Sequence, residues 1–181
     1  MVSEPLTDTV WRALSGVMDP EIPAVSITEM GMVLDVVAEN KGISVTILPT
    51  FTGCPAIDVI VQDVEKAVAS VEGVESVRVK LVYHPPWSTE RISSEGREKL
   101  LQFGLAPPAA GPVLVTDIRL PEVAECPFCG ARDTVNENPF GPTPCRAIYY
   151  CSPAAIPSNS SNRFDEEPNL PSGHRMSYSD I

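Results

Sequence analysis

The sequence predicts an α+β fold, in which helices pack on a small three-stranded sheet and a short cysteine-rich unit follows. Apolar residues recur at helical spacing in separate segments, and the stretches between them alternate apolar and polar residues as strands do. A Cys-x-x-Cys pair comes after a proline-rich stretch in the second half of the chain. Together these observations indicate one core domain and a smaller appendage.

The chain begins with a predicted helix and a predicted β-hairpin. Apolar residues at spacings of four, four and three give the segment 4–17 the stripe of an amphipathic helix. Prolines break the segment 19–23, and the run 32–38 then has the apolar, β-branched composition of a buried strand. Residues 43–47 alternate in polarity after a turn, so we expect the two strands to pair as a hairpin.

A second helix, a third strand and a short third helix complete the predicted domain. Pro55 suits the first position of a helix whose apolar residues follow at helical spacing. Residues 74–83 alternate as a strand and end at a pair of prolines, which cannot continue a ladder. Ser93 is predicted to begin a short helix that Gly104 closes. The predicted domain therefore spans residues 1–105.

The rest of the chain divides into three predicted parts. Residues 106–113 are rich in proline and alanine, which is typical of a semi-rigid linker. Residues 114–157 hold four of the five cysteines, so we expect a zinc-ribbon-like unit there, with a degenerate second half. Residues 158–181 are rich in serine, asparagine and proline and have little apolar periodicity, which favours a disordered tail.

Composition and charge exclude several classes of function. The chain has 181 residues and a formal net charge of −11. A protein this acidic repels phosphate backbones, so we expect it to bind no nucleic acid. Its first residues lack the basic start and apolar run of a signal peptide, and no apolar stretch is long enough to span a bilayer. We therefore expect a cytoplasmic protein that does not bind membranes.

The first candidate site is the thiol of Cys54, at the predicted turn from strand to helix. A helix N-terminus favours a thiolate, which can act as a nucleophile or as a ligand for a soft metal or a cluster. A single thiolate cannot hold an iron–sulfur cluster by itself. Asp19 and Glu21 lie on a rigid proline turn and would join Cys54 if that turn folds over the sheet. The open alternatives are a cysteine that only packs and acids that only end a helix.

The second candidate site is a structural zinc site made by Cys126, Cys129, Cys145 and Cys151. The two thiols of Cys126-Pro-Phe-Cys-Gly can grip one tetrahedral ion. A regular ribbon needs a second Cys-x-x-Cys, whereas Cys145 and Cys151 are more widely spaced. A site of three thiolates is the open alternative. In either case a bound metal would supply most of the folding free energy of so small a unit.

Several segments resemble known families. Asp19-Pro-Glu-Ile-Pro, Gly31-Met-Val and Thr52-Gly-Cys-Pro resemble the SufT-like iron–sulfur assembly domains, over residues 6–105. The PaaD family of the phenylacetate pathway is similar to further segments, which are Tyr83-His-Pro-Pro-Trp-Ser, Ala106-Pro-Pro, Cys126-Pro-Phe-Cys-Gly and Phe140-Gly-Pro-Thr-Pro-Cys-Arg-Ala-Ile-Tyr-Tyr-Cys. One departure stands out, because Ala154 occupies the position where that family usually has the last cysteine of a second Cys-x-x-Cys.

The resemblance implies a non-catalytic accessory role in the phenylacetyl-CoA 1,2-epoxidase system, a di-iron monooxygenase with an iron–sulfur flavoprotein reductase. It implies that the chain helps to assemble an iron–sulfur or di-iron centre, and that Cys54, Asp19 and Glu21 carry iron or a cluster transiently. The implied partners are components of the epoxidase or its reductase. Because one thiolate is an incomplete ligand set, a second copy of the chain is a further expected partner. Two alternatives stay open, a docking subunit without metal transfer and a thiol enzyme with Cys54 as nucleophile and His84 as base.

Overall fold

The computed structural model describes residues 5–39, 42–106, 124–138 and 146–153, and the backbone of 174–179. It confirms the predicted α+β class. The elements of the first unit are α1 (Leu6–Leu14), β1 (Val33–Glu39), β2 (Gly42–Ile47), α2 (Ile57–Ala69), β3 (Ser76–Leu81), a 3₁₀ turn (Thr89–Arg91) and α3 (Ser94–Gln102). No helix in these segments has the length and apolar character that a bilayer crossing requires.

The first unit is built on a three-stranded sheet in the order β1-β2-β3. β1 and β2 pair antiparallel, as expected of a hairpin, with Val36 opposite Val45 and Glu39 opposite Gly42. β2 and β3 pair in parallel. The connection between them is α2, which returns the chain to the end of the sheet at which β2 began. Side chains alternate between the two faces of these strands, so one face takes the apolar residues and the other the polar ones.

Helices α1 and α2 pack on the apolar face of this sheet and enclose the core. Ile43, Val45 and Ile47 of β2 are buried there, while the residues between them are only half-buried. Each helix contributes the stripe that its sequence spacing predicts. Members of this core include Val10, Leu14, Val25, Ile27, Val36, Ile60, Val64, Val68 and Leu100.

The start of α2 differs from the sequence expectation. The helix begins at Ile57, with Ala56 as its N-cap, so Pro55 lies outside it. The reason is a preceding turn, in which Cys54 donates its backbone N–H to the carbonyl of Phe51 and Ile57 donates to the carbonyl of Cys54. These two turns place the thiol two residues before the helix cap.

The segment after β3 packs back on the loop that leads into β1. Trp87 is buried and donates from its indole Nε1 to the carbonyl of Met30 at 2.9 Å. Ser93 caps α3, as predicted, because its Oγ accepts the N–H of Gly96 at 3.0 Å. Gly31 has a φ of +64°, and a Cβ built there would lie 2.4 Å from the carbonyl oxygen of Arg91. Only glycine fits this crossing without strain.

The second unit is a four-stranded sheet in the order β4-β7-β6-β5. Its strands are β4 (Leu105–Ala106), β5 (Thr134–Asn138), β6 (Arg146–Cys151) and β7 (His174–Ser179). β7 pairs in parallel with β4 and antiparallel with β6, and β5 pairs antiparallel with β6. A small second core lies on this sheet and consists of Ala106, Ala124, Cys126, Ala147, Tyr149 and Cys151.

Only parts of the predicted linker and tail are described. Of the linker expected at 106–113, only Ala106 is described, and it belongs to β4. Of the tail expected to be disordered, only residues 174–179 are described, and they form β7. In the sequence of this strand, Met176 and Tyr178 alternate with polar residues, which is the short-range signal of a strand.

Candidate metal centres

Three cysteines of the second unit form a cluster of the size that one metal ion needs. The Sγ atoms of Cys126, Cys129 and Cys151 all lie within 4.8 Å of one another. Those of Cys129 and Cys151 are 3.6 Å apart. Tetrahedral zinc with Zn–S bonds of about 2.3 Å requires S···S separations of about 3.8 Å. The cluster therefore fits a zinc ion with small side-chain adjustments.

The local backbone explains why these three thiols converge. Gly130 donates its N–H to the carbonyl of Cys126 at 2.8 Å, and Cys126 donates to the carbonyl of Ala131 at 2.9 Å, which folds the segment into a tight knuckle. Gly130 has a φ of +70°, a conformation that glycine adopts without cost. Cys151 enters from the end of β6, where it pairs with Thr134 of β5.

The electrostatic surroundings favour a thiolate in the cluster. The backbone N–H of Ala131 is the main cause that lowers the pKa of Cys129, and hydrogen bonds from Cys151 and Cys126 add to it against an opposing effect of desolvation. Cys126 and Cys151 are buried and Cys129 is exposed. A metal ligand must be deprotonated, so a lowered thiol pKa assists metal binding near neutral pH.

A buried polar contact holds β5, the strand that pairs with the cysteine-bearing strand β6. Thr134 is buried, and its Oγ1 donates to the carbonyl of Ala124 at 2.6 Å and accepts the N–H of the same residue at 3.0 Å. This pair of hydrogen bonds to one residue ties the chain before the knuckle to β5. Cys145, the predicted fourth ligand, and Ala154 lie outside the described residues.

The predicted carrier thiol, Cys54, lies in a different part of the molecule. It is half-buried in the turn before α2 and packs against the edge of the first core. Phe51, three residues earlier, exposes 38% of its surface, and its ring lies against Gly53. A half-buried thiol on such a turn can be reached by a partner without unfolding the domain.

Asp19 and Glu21 order their own loop. Asp19 Oδ1 accepts the backbone N–H groups of Glu21 at 2.8 Å and Ile22 at 2.9 Å, which is an Asx turn. The carbonyl of Glu21 accepts a hydrogen bond from Arg146 Nη2 at 2.7 Å. This contact joins the second unit to the acidic loop, and no local sequence pattern signals it, since the two residues are 125 positions apart.

The structure does not bring the two acids and Cys54 together as one ligand group. Among the described segments, the Cys126–Cys129–Cys151 cluster is the one set of three or more cysteine, histidine or acidic side chains whose ligand atoms all approach closely. His84 is exposed beyond the end of β3 and belongs to no such set. The described part of the chain therefore contains no complete ligand set for a cargo at Cys54.

Comparison with known protein families divides the chain at the same place as the structure. Residues 7–81 match the family model described as iron–sulfur cluster assembly protein. Residues 110–153 match the family model described as PaaD zinc beta ribbon domain. The first match covers the three-stranded sheet with α1 and α2 and ends before α3, and the second includes all three clustered cysteines.

Individual relatives agree with these matches. An Escherichia coli protein named as a candidate component of 1,2-phenylacetyl-CoA epoxidase is 33% identical over 156 residues, which cover 86% of this chain and 92% of that one. An Fe-S protein maturation auxiliary factor of Bacillus subtilis is 36% identical over 93 residues, with 51% of this chain and 90% of that one covered. A solved DUF59 domain from Bacillus anthracis shares 36% identity with a TM-score of 0.50, over 52% of this chain and 91% of that one.

Proposed function

Since the chain belongs to the PaaD family, which pairs an iron–sulfur assembly domain with a zinc ribbon, we propose that it is a non-catalytic accessory protein for metal-centre assembly. The observation that carries this proposal is the half-buried thiol of Cys54, which lies in the segment matched by the iron–sulfur assembly model. Relatives of that segment are named as Fe-S protein maturation factors, which supports the same role.

The proposed cargo is iron or an iron–sulfur cluster, held transiently at Cys54. A soft thiolate suits both, and one thiolate gives an incomplete ligand set. Such a set favours transfer, because ligands of the receiving protein complete the site and then take over the cargo. Asp19 and Glu21 are proposed to act beside Cys54 only when the acidic loop moves toward it, since their present contacts order the loop itself.

The proposed client is a component of the phenylacetyl-CoA epoxidase or its reductase, and the centre to be assembled is an iron–sulfur or di-iron site. The support is the likeness to the Escherichia coli relative over nearly its full length. A chain that docks on this complex without carrying metal is the competing proposal, and analysis of the bound metal separates the two.

The proposed role of the second unit is structural. Cys126, Cys129 and Cys151 would hold zinc, with Cys145 proposed as the fourth ligand. Bound zinc would supply folding free energy to this unit, whose described core consists of a few alanines, two cysteines and Tyr149. The backbone of the unit positions the three thiols. The knuckle presents those of Cys126 and Cys129, and the pairing of β5 with β6 places that of Cys151.

Metal and sulfide analysis of anaerobically purified protein tests both sites at once. We compare the intact chain with Cys54→Ala and with Cys126→Ala, each variant serving as the control for the other. The proposal expects iron and sulfide to be lost only in Cys54→Ala and zinc only in Cys126→Ala. Epoxidase assembled to full activity with Cys54→Ala as the only source of this protein would contradict the carrier role. An intact chain that co-purifies with the oxygenase in fixed ratio but never holds iron would favour docking.

A further inference from the structure

The polar face of the three-stranded sheet, opposite the helices, has no covering layer in the described part of the chain. We call it the open face, and its residues alternate with the core residues along each strand. It consists of Asp35, Val37 and Glu39 of β1, Gly42, Ser44 and Thr46 of β2, and Ser76, Arg78 and Lys80 of β3. The residues of the two outer strands are all exposed, and those of β2 are half-buried between them.

Charge on the open face is separated by strand. β1 places only acidic charge there, from Asp35 and Glu39, and β3 places only basic charge, from Arg78 and Lys80. None of these four side chains forms an ion pair with another described residue. The central strand offers only small, uncharged residues. In a chain of net charge −11, an exposed basic strand needs an explanation.

The register makes this pattern complementary to itself. Asp35, Thr46 and Lys80 share one row across the sheet, and Val37, Ser44 and Arg78 share the next row. A twofold axis parallel to β2, between two stacked copies, lays β1 of one copy over β3 of the other. Asp35 then faces Lys80 of the second copy in the same row, and Glu39 lies diagonal to Arg78. An axis across the strands would instead oppose acid to acid.

Sheet dimensions allow such stacking. Sheets pack face to face about 10 Å apart with their strands aligned to within about 30°, and small central side chains permit that approach. Three strands of this length present a face of about 14 Å by 20 Å. This area of about 280 Å² per copy is well below the roughly 800 Å² per partner of a standard stable interface, so the expected dimer is weak and reversible, with a dissociation constant in the range of about 1 to 100 µM.

We propose that the open face is a homodimer interface, in which the acidic β1 edge of one copy pairs with the basic β3 edge of a second copy across an isologous twofold. The occupant is a second copy because the complementarity is internal to one surface, as closed twofold symmetry requires. The inference rests on the sheet alone and does not depend on the carrier role of Cys54.

Reversing the charges on β1 or on β3 of the open face tests the interface. Arg78→Glu/Lys80→Glu gives an all-acidic open face, and Asp35→Lys/Glu39→Lys gives an all-basic one. We expect the intact chain to dimerise in sedimentation velocity between about 10 and about 200 µM. Each double variant alone should be monomeric, and their equimolar mixture should dimerise again. Salt dependence is a poorer test, because salt screens the general repulsion between acidic copies as well as the proposed pairs.

A matched control separates surface position from net charge. Lys66→Glu on α2 changes the charge as much as Lys80→Glu does, and Lys66 is also accessible to solvent, with 72% of its side chain exposed. Only Lys80→Glu should weaken the dimer, by about tenfold or more for a lost and reversed pair. Circular dichroism verifies that each variant folds. If Arg78→Glu/Lys80→Glu does not fold, Arg78→Ala/Lys80→Ala takes its place. An intact chain that stays monomeric, double variants that dimerise like it, or a mixture that stays monomeric would each overturn the proposal.

Discussion

Arg146 of β6 donates a hydrogen bond from its guanidinium to the main-chain carbonyl of Glu21, at 2.7 Å. The bond spans from the sheet that carries Cys151 to the loop that carries Asp19. The Nε atom of the same guanidinium is buried without a hydrogen-bond partner among the described residues. The contact therefore links the acidic loop directly to the cysteine-rich unit, and we expect it to couple the order of the two.

Arg146→Met is expected to loosen the acidic loop. A hydrogen bond from a charged donor contributes about 1 to 3 kcal/mol, and its loss leaves the Glu21 carbonyl without this donor. Hydrogen exchange of the loop 19–25 should accelerate, while exchange in α2 should not change. Arg132→Met is the control, because Arg132 is exposed in the same unit. Unchanged protection of the loop in Arg146→Met would show that the contact carries no coupling.

Removal of metal is expected to unfold the cysteine-rich unit and spare the first one. The described part of the second core is small and includes two of the metal-site cysteines, whereas the first core buries a full set of aliphatic residues. A strong chelator, or Cys126→Ala, should abolish amide protection in β6 and leave that of α2 within about twofold. Loss of protection in both units together would indicate that they fold as one cooperative body.

Acid should weaken the contact between Glu29 and Lys99. Burial opposes ionisation of Glu29, yet the ion pair with Lys99 and the hydrogen bonds from Ser26 outweigh it and hold the pKa of Glu29 below its ordinary value of 4.5. The hydrogen bond to Glu29 raises the pKa of Lys99 above its ordinary 10.5. The pair therefore stabilises the fold fully between the ordinary pKa values of the two groups, 4.5 and 10.5. Its contribution is lost as the pH falls through the lowered pKa of Glu29. It is also lost as the pH rises through the raised pKa of Lys99.

Urea unfolding between about pH 3 and about pH 6 measures this contribution. In Glu29→Gln the decline of stability toward acid should be shallower than in the intact chain. Glu98→Gln, an exposed position on α3, is the control. If the free energy of unfolding fell equally steeply toward acid in the intact chain and in Glu29→Gln, the prediction would be contradicted.

Gly31→Ala should destabilise the first unit strongly. The new Cβ would lie 2.4 Å from the carbonyl oxygen of Arg91, at a φ of +64° that alanine adopts only with strain. We expect a loss of about 2 to 4 kcal/mol in the free energy of unfolding. Gly16→Ala should cost far less, since its Cβ meets nothing closer than 3.4 Å. Similar midpoints for the two variants in thermal unfolding would refute this account.

Most of the first unit follows from local patterns in the sequence. The spacing of Val10 and Leu14 and the alternation of Ile43, Val45 and Ile47 both report which side chains are buried, and burial is what the helices and strands require. Ser93 as a cap was equally predictable, because the capping bond joins residues only three positions apart.

Other features do not follow from these patterns, and most of them depend on distant partners. Proline at 55 has the local preference for a first helical position, but the turn through Cys54 delays the helix to Ile57. Arg146 and Glu21 are 125 positions apart and meet only in the folded chain. In the candidate metal cluster, Cys126 and Cys129 follow from their spacing, whereas the position of Cys151 beside them depends on the register of β5 and β6.

The strand order of the second sheet has a consequence for how the protein is made. β7 lies between β4 and β6, so the pairing that ties Ala106 to the ribbon passes through residues 174–179. On the ribosome, the first unit can fold once the chain has emerged through residue 105. The second sheet is complete only after residues 174–179 have followed, whereas β5, β6 and the three clustered cysteines all precede them in the chain. The cysteine-rich sheet is therefore completed later in synthesis than the first unit, and its link from β4 to β6 is the last part of it to form.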